Sequence, residues 1–352
     1  MTTRTPEPSE PSRGAPSDPS YTVLFDTCVA SDNTGDEIIM DAVQKQLSKS
    51  LDSTFFVRLP THDTFGKVGR NWIKQAKMCI VGGTNLLTSD YRNYHQWQFS
   101  LSDVFRLQQK VLLMGTGWWQ YQPDPGWMTK QIYRKILSLD SSLCHSVRDS
   151  YTEAKLRAMG ISNVLNTACP TMWNLTPEHC AKIPVSPGQR AVVTLTDYNP
   201  NPESDKFLVE QIRKSYGNLV VWPQGVGDFL YFQKLGIQEI ASPGLASLDA
   251  LLSEPGTDFI GTRLHAGIRA LQHGRRSIII AVDNRAREIS NDTDLRVVDR
   301  NDREAIEKII PSSFEFKIKL PQHNIDAWKR SLREWHARNG IPGGASIAEN
   351  GA

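Results

Sequence analysis

Short apolar runs alternate with amphipathic stretches along most of the chain. The apolar runs are rich in Val, Ile, Leu and Phe, which is typical of strands buried on both faces of a sheet. Between the first two runs, Ile39, Val43 and Leu47 recur at helical spacing and predict a helix over 37–47. The alternation predicts βαβ units and therefore parallel sheets covered by helices. The predicted strands are 22–28, 55–59, 78–81, 111–114, 143–147, 164–166, 191–195, 219–222, 259–260, 278–282 and 296–298.

A polar, proline-containing stretch over 176–190 interrupts this alternation and is predicted to be a linker. Because the pattern restarts after it, the sequence predicts an α/β protein with two Rossmann-like, doubly wound domains facing a cleft. The predicted units are a disordered tail over 1–20, an N-terminal domain over 21–175, a C-terminal domain over 191–322, an amphipathic helix over 323–340 and a disordered tail over 341–352.

Composition and charge mainly exclude certain classes of protein and of binding site. The chain has 352 residues and a net charge of +2, so it can hold two cores and has no charge block that would indicate a nucleic-acid partner. Its five cysteines form no C-x-x-C pair, which gives no sign of a zinc site or disulfide framework. No apolar segment is long enough to span a bilayer. We expect a cytoplasmic protein without a metal; the sequence leaves the oligomeric state and any peripheral membrane contact open.

The segment over 258–268 is the most informative for chemistry, because a short strand there passes directly into a helix. We predict that Thr262 caps this helix, with Arg263 and His265 in its first turn and Leu264 on its core face. Unpaired backbone N–H groups at a helix start favour an anion, so the turn can bind phosphate or carboxylate. His265 can then serve as a general acid, and the alternative is a surface histidine without function.

Other loops at predicted strand ends are unusual as well, and ligands of open α/β sheets bind at such ends. Asn33, Gly35 and Asp36 place a tight turn and hydrogen-bond acceptors beside a helix start, which suits a ligand or ordinary helix capping. Gly82 and Gly83 allow the close approach of a ligand or of a neighbouring helix.

Two further loops carry aromatic and cationic side chains. Gly117 precedes two tryptophans, which suit either stacking on a sugar ring or filling the domain interface. Arg148 stands at a strand end, where a purely architectural pair with Asp149 is the alternative to ligand binding. Together with Arg263 from the other domain, Arg148 would suit a ligand with two anionic groups, since guanidinium binds carboxylate and phosphate bidentately.

Taken in order, these motifs resemble the polysaccharide pyruvyl transferase family over about 26–283. The resemblance implies a GT-B-like arrangement of the two domains. It also implies transfer of pyruvate from phosphoenolpyruvate to a sugar as a cyclic ketal, without any cofactor beyond phosphoenolpyruvate as co-substrate. The motifs are Asn33-x-Gly35-Asp36-Glu37, Gly82-Gly83, Gly115-x-Gly117, Val147-Arg148-Asp149 and Gly261-Thr262-Arg263-Leu264-His265-Ala266.

The resemblance also implies roles for single residues. Arg148, Arg263 and His265 match positions expected to hold or activate phosphoenolpyruvate, with His265 as the acid that protonates the enol methylene. Three side chains are candidates for the base that the sugar hydroxyls need: Asp36, Asp283 and His95.

Two departures from the family pattern point to a distinct subgroup. Thr84 replaces a third glycine after Gly82-Gly83, and Ala168-Cys169-Pro170 replaces a frequent Asp-Pro. The expected acceptor is a nucleotide- or lipid-linked saccharide in surface or exopolysaccharide biosynthesis. The alternatives are a GT-B-type glycosyltransferase that uses a nucleotide-sugar donor and a non-catalytic relative that binds carbohydrate or anions.

Overall fold

Two parallel sheets organise the chain. The structure is a computed structural model that describes residues 21–52, 54–137, 140 and 142–339, so the two predicted disordered tails lie outside the described residues. The strands are β1 Tyr21–Asp26, β2 Phe55–Pro60, β3 Cys79–Gly82, β4 Val111–Met114, β5 His145–Val147, β6 Val164–Asn166, β7 Arg190–Thr194, β8 Asn218–Val221, β9 Thr257–Gly261, β10 Ser277–Ala281 and β11 Val297–Asp299.

Helices follow most of these strands, and a 3₁₀ turn over Pro170–Met172 precedes α6. The helices are α1 Thr34–Ser48, α2 Lys67–Gln75, α3 Leu101–Leu107, α4 Trp127–Leu137, α5 Ser150–Ala158, α6 Pro177–Cys180, α7 Pro202–Ser215, α8 Val226–Leu235, α9 Leu245–Ser253, α10 Leu264–Gln272, α11 Asn284–Thr293, α12 Arg303–Ile309 and α13 Gln322–Asn339.

The N-terminal sheet has the strand order β2-β1-β3-β4, and all its pairs are parallel. The parallel pair β5-β6 continues it through a bridge between Thr116 and Val147. Since β1 pairs with both β2 and β3, the direction of winding reverses at β1, and helices cover both faces. Most buried apolar side chains of α1 join one core cluster, whereas those of α2, α3 and α4 join another, and Ile38 of α1 packs in the core of the C-terminal half.

The C-terminal sheet has the order β11-β10-β9-β7-β8 and is also entirely parallel. Every residue of β9 and β10 is buried, and the apolar run of β10 is typical of such a strand. The winding reverses between β7 and β9, so this sheet also has a crevice at the carboxyl ends of its central strands. The predicted α/β fold with two doubly wound parallel sheets is therefore confirmed.

The C-terminal helix α13 returns to the N-terminal sheet. Ile325, Trp328 and Leu332 are fully buried in the same core cluster as Leu24 of β1. The ring of Trp328 packs edge-on against Trp173 at 5.6 Å. The apolar stripe of this helix is thus used within the protein. No helix within 21–339, as far as the structure describes this range, combines the length and the apolar character that a membrane crossing requires.

Helix α1 joins the two halves of the molecule and so positions the crevices opposite each other. It packs against α10 of the C-terminal half. The backbone N–H of Thr34, at its start, donates to the carbonyl of Gln224 at 2.8 Å. At mid-helix, Asp41 forms an ion pair with Arg269 of α10 at 2.7 Å. The carboxyl ends of β1 and β9 therefore open into one cleft.

Candidate active site

A cleft of about 650 Å³ lies between the two sheets. Its walls come from loops at the carboxyl ends of strands, where ligands of doubly wound sheets bind. The N-terminal half contributes Asn33, Asp36, His62, Thr84, Asn85, Tyr94, Gln96, Trp119 and Gln120. The C-terminal half contributes Tyr198, Asn199, Arg263, Asp283, Asn284 and Arg285.

The turn between β9 and α10 differs in one detail from the sequence prediction. Arg263, not Thr262, occupies the N-cap position, and its side chain makes no capping bond. Thr262 is not available as a cap, because its backbone N–H and its hydroxyl both donate to the carbonyl of Thr194 on the neighbouring strand. The predicted cap was therefore wrong by one residue, and only His265 lies in the first turn.

Arg263 is tied to carboxylates of its own domain. Its Nε donates to Asp228 Oδ2 at 3.0 Å and its Nη2 to Asp197 Oδ1 at 2.8 Å, with a second contact to Asp228. Burial raises the pKa of Asp228, and the adjacent Arg263 charge opposes this shift. The ring of Tyr198 lies 5.0 Å from the guanidinium. Arg263 lines the cleft, but these two carboxylates occupy two of its three nitrogens.

His265 is buried, together with Leu264. The prediction that only Leu264 faces the core was wrong, because the first turn of α10 is covered by the N-terminal half as well. Burial lowers the pKa of His265 to about 3, and the positive charges of Arg285 and Arg148 lower it further, while Asp283 opposes them. The imidazole is therefore neutral at physiological pH when no anion is bound.

Arg148 carries unused hydrogen-bond donors in a buried position. Its Nε donates to Asp149 Oδ2 at 3.0 Å, so the architectural pair is present. Its Nη1 and Nη2 are buried and have no hydrogen-bond partner among the described residues. The guanidinium lies against Gly117, where a Cβ atom would come within 2.3 Å of its Cζ. An unsatisfied buried cation is costly, so this side chain is suited to receive an anion.

Arg285 is the most important cleft residue without an assigned role in the sequence prediction. Its Nε donates to Asp283 Oδ2 at 2.8 Å, and its Nη2 contacts both Asp283 and the hydroxyl of Tyr198. Burial would raise the pKa of Asp283, but Arg285 and these hydrogen bonds lower it to about 2. Asp283 is therefore ionised and anchors Arg285, which makes it a poor base. The acidic and basic residues that follow β10 were the only sequence signal.

On the opposite wall, Asp36 and His62 lie next to each other and line the cleft. Asp36 is buried and accepts hydrogen bonds from Ser31 Oγ at 2.8 Å and Asn33 Nδ2 at 3.3 Å. His62 Nε2 lies 3.9 Å from its carboxylate. Burial raises the pKa of Asp36, against the effect of these hydrogen bonds and of the His62 and Arg285 charges. A carboxylate with a raised pKa accepts a proton readily, as a general base must. No motif marked His62 in the sequence.

Asn33 and Gly35 lie at the contact between the two halves. Asn33 Oδ1 caps α1 by accepting from the N–H of Gly35 at 3.1 Å and also accepts from Gln224 Nε2 at 2.8 Å. A Cβ atom at position 35 would lie 2.6 Å from that Gln224 nitrogen. Asn33 thus caps a helix, borders the cleft and aligns the two halves.

Gly82, Gly83 and His95 do not line the cleft. The two glycines sit under α1, where a Cβ atom on Gly83 would lie 2.1 Å from Ile39. Of the two sequence interpretations, the close approach of a helix is therefore the one that the contacts show. His95 stacks on Tyr91 with ring centroids 4.4 Å apart, so its neighbours in the loop border the cleft instead.

The two tryptophans after Gly117 have different environments. Trp118 is fully buried in the core of the N-terminal half, so it neither stacks on a ligand nor fills the domain interface. Trp119 borders the cleft and stacks on Tyr94 with ring centroids 3.7 Å apart. The stacked pair presents an apolar surface on the same wall as Asp36, which is the kind of surface that sugar rings pack against.

Cys169, one of the departures from the family pattern, is next to the candidate acid. Its Sγ lies 3.9 Å from His265 Nε2 and accepts a hydrogen bond from Thr171 Oγ1 at 3.1 Å. Burial raises the pKa of this thiol, so it is neutral. Among the described residues, no three His, Cys, Asp or Glu side chains group as metal ligands. Arg148 and His265 are buried and are not among the lining residues of the cleft, whereas Asp36, Arg263 and Arg285 are.

Comparison with known proteins shows which protein family has a similar sequence. The sequence pattern of polysaccharide pyruvyl transferases matches residues 33–284, a range that includes Arg148 and His265 and ends directly before Arg285. No curated protein sequence matches the chain significantly. One similar solved structure is the UDP-GlcNAc 2-epimerase from Neisseria meningitidis bound to UDP-GlcNAc, with a TM-score of 0.45 and 10% identity, covering 90% of this chain and 98% of that chain.

The pairing of Arg263 with Asp228 predicts a pH-dependent stability defect in Arg263→Ala. The variant leaves a buried carboxylate unpaired, which costs about 3–5 kcal/mol at neutral pH. Loss of Arg263 raises the folded-state pKa of Asp228 further above its unfolded value, so protonation at lower pH relieves the penalty. Urea unfolding should therefore show a smaller difference from the wild type at pH 5 than at pH 8. The double variant Arg263→Ala/Asp228→Asn is the control and should show no such pH dependence; a constant difference in the single variant would contradict the pairing.

Gly117→Ala is predicted to disturb Arg148 without disturbing the fold. The new Cβ atom would overlap the guanidinium, while the backbone at position 117 needs no left-handed conformation. We expect binding of inorganic phosphate, measured by calorimetry, to weaken by about tenfold, the loss of one charged hydrogen bond. Gly126→Ala is the matched control, since a Cβ atom there meets nothing within 4 Å. Equal phosphate affinity in both variants would show that the Arg148 guanidinium does not bind the anion.

Proposed function

The chain belongs to the polysaccharide pyruvyl transferase family, and we propose that it transfers pyruvate from phosphoenolpyruvate to a saccharide as a cyclic ketal. The proposed acceptor is a nucleotide- or lipid-linked saccharide of surface or exopolysaccharide biosynthesis. Family membership implies a transferase with saccharide substrates. The donor and the ketal product are the parts of the proposal that need further support.

The unpartnered guanidinium of Arg148 beside His265 is the observation that carries the proposal. Phosphoenolpyruvate has a phosphate and a carboxylate, and two arginines, the buried Arg148 and the partly exposed Arg285, place positive charge at His265. One anionic group per arginine would satisfy the free donors of Arg148 and offset the charge of Arg285. Arg263, whose donors are largely engaged, is proposed to position the turn that carries His265.

The proposed reaction uses His265 as the acid. His265 donates a proton to the methylene carbon of phosphoenolpyruvate, and a sugar hydroxyl adds to the neighbouring cationic carbon. The bond from that carbon to the phosphate oxygen then breaks, and a second hydroxyl closes the ketal with release of inorganic phosphate. Asp36, with His62 beside it, is the proposed base that takes the hydroxyl protons. One of these protons leaves with the phosphate, and the other restores His265.

The acceptor is proposed to bind along the N-terminal wall. The stacked rings of Tyr94 and Trp119 offer an apolar surface for one face of a sugar, and Gln96 and Asn85 supply polar groups nearby. This wall also carries Asp36, so a hydroxyl of a stacked sugar lies on the side of the proposed base. The donor is proposed to lie between Arg148 of the N-terminal half and Arg285 of the C-terminal half, where it meets the acceptor.

The proposal predicts acceptor-dependent release of phosphate from phosphoenolpyruvate. Purified protein is supplied with phosphoenolpyruvate and a panel of nucleotide-linked and lipid-linked saccharides, and the ketal methyl group is detected by NMR. We expect His265→Gln to keep phosphoenolpyruvate affinity within a few fold while turnover falls by about 10²–10⁴-fold, the usual contribution of a general acid. The matched control is His179→Gln, which changes a histidine outside the cleft.

Consumption of a nucleotide-sugar donor without phosphoenolpyruvate would instead establish a glycosyltransferase. Binding of phosphoenolpyruvate without turnover of any acceptor would indicate a non-catalytic relative.

Phosphoenolpyruvate binding is also predicted to take up a proton. In the free protein the pKa of His265 is lowered to about 3, so the imidazole is neutral from pH 6 to 8. The bound anionic groups neutralise the arginine charges and raise this pKa, so the folded, liganded state binds one more proton. Calorimetry at about pH 8, where the phosphate is fully ionised, should show a binding heat that varies with the ionisation enthalpy of the buffer. The variation should vanish in His265→Gln; its persistence there would assign the proton to another group.

A further inference from the structure

Four large apolar side chains are exposed on neighbouring helices in the N-terminal half, three of them in the first turns. Val68 is near the start of α2, Leu101 and Phe105 are in α3, and Trp127 begins α4. Phe105 is 70% exposed and Trp127 is 77% exposed. Helices α2, α3 and α4 pack side by side on one face of the N-terminal sheet. We call the outer surface formed by these three helices the α2–α4 face.

The same face is strongly basic. Its helices contain seven Lys and Arg residues and a single acid, Asp103, in a chain whose net charge is only +2. Asp103 is buried and paired with Arg70 at 2.9 Å and Arg106 at 3.2 Å, so it adds no exposed negative charge. Among the described residues, no carboxylate pairs with the remaining basic side chains. These are Lys67, Lys74, Lys130, Arg134 and Lys135.

We propose that the α2–α4 face docks on the surface of an anionic lipid bilayer. Exposed aromatic and aliphatic side chains among unpaired cations are the composition of interfacial membrane contacts, where the apolar groups enter the headgroup region and the cations attract anionic lipids. Lys135 illustrates the geometry, since its ammonium lies 3.7 Å from the ring centroid of Phe105. Two copies of so basic a face would repel each other, so charge complementarity favours the bilayer over self-association. The face ends near Trp127, where Asp90 and Asp124 border the surface.

The position of this face relative to the cleft supports the docking. The loops that lead into α2, α3 and α4 carry His62, Tyr94 and Trp119, which form the N-terminal wall of the cleft. Val68, Leu101 and Trp127 lie in the first turns of these helices and therefore on the same side of the sheet as that wall. Phe105 lies further along α3, beside Lys135 of α4. A protein docked through this face would hold the N-terminal wall of its cleft close to the bilayer. Among saccharide acceptors, this orientation favours those attached to a lipid, a refinement that rests on the proposed function.

Vesicle co-sedimentation of the full chain tests the docking without any use of catalytic activity. We expect binding to vesicles of phosphatidylcholine with phosphatidylglycerol at low salt, weaker binding at high salt, and little binding to phosphatidylcholine alone. The double variant Leu101→Ser/Phe105→Ser should partition onto the vesicles about tenfold or more weakly, because each substitution removes a large apolar group from the headgroup region. Lys67→Glu/Lys74→Glu should weaken binding to anionic vesicles and reduce its salt dependence.

Phe55→Ser is the matched control. Phe55 is 68% exposed in the same half, but it is the first residue of β2 and so lies at the amino ends of the strands, away from the cleft. Its partitioning should equal that of the wild type. Absence of binding to anionic vesicles at low salt would overturn the proposal, and so would equal losses in Phe55→Ser and Leu101→Ser/Phe105→Ser. If sedimentation instead shows a dimer that Leu101→Ser/Phe105→Ser dissociates, with vesicle binding unchanged, the face is a self-association surface. Vesicle binding and ketal formation are measured separately, so failure of one is distinguishable from failure of the other.

Discussion

The candidate site depends on two carboxylates that each bind one side of an arginine guanidinium and leave the other side free. Asp149 holds the Nε edge of Arg148, and Asp283 holds Arg285 through Nε and Nη2. Each pair comes from residues close together in one strand-to-helix turn, so the anchoring is local and survives small movements between the two halves. Burial of an isolated guanidinium would be prohibitive, and one carboxylate per arginine makes it tolerable. Burial lowers the pKa of His265, and the positive potential that remains there lowers it further, so its imidazole is neutral.

A neutral acid is a useful starting state for the proposed chemistry. An imidazole that was protonated in the empty site would repel the arginines and would be paired with water or another base before the substrate arrived. Here the proton and the anion are expected to bind together, because each lowers the free-energy cost of burying the other. The neighbouring Cys169 is a neutral thiol that adds no charge to this balance. The acid is therefore expected to form only where the donor substrate is already held.

The sequence could predict the strands and helices of the fold and could identify one polar turn, because both signals are local. Runs of apolar residues mark strands directly, and the turn carrying Arg263 and His265 has its charged groups within a few positions. Contacts between distant positions are a different matter. Nothing near Arg263 in the sequence shows that Asp228 and Asp197 engage it, so its pairing could not be read from the motif. For the same reason His62 was missed, since it meets Asp36 only when β2 lies beside β1.

Glycines in motifs show a second limit of sequence interpretation. Gly83 and Gly117 look alike as residues that let something approach the backbone, yet one accommodates Ile39 of α1 and the other the guanidinium of Arg148. Only the second borders the proposed chemistry. The glycine motif indicates that a neighbouring group approaches the backbone closely, whereas the order of the strands in the sheet determines which group this is.

One topological constraint connects the cleft with the α2–α4 face. In a parallel sheet, all strands end at one edge, and the helices that follow begin at that edge. The loops that form the N-terminal wall must therefore lie beside the first turns of α2, α3 and α4. Leu101 and Trp127, which begin α3 and α4, are therefore exposed on the same side of the sheet as these loops. A surface that binds a bilayer there is automatically oriented with respect to the acceptor wall, so docking and acceptor delivery can share the same three helices.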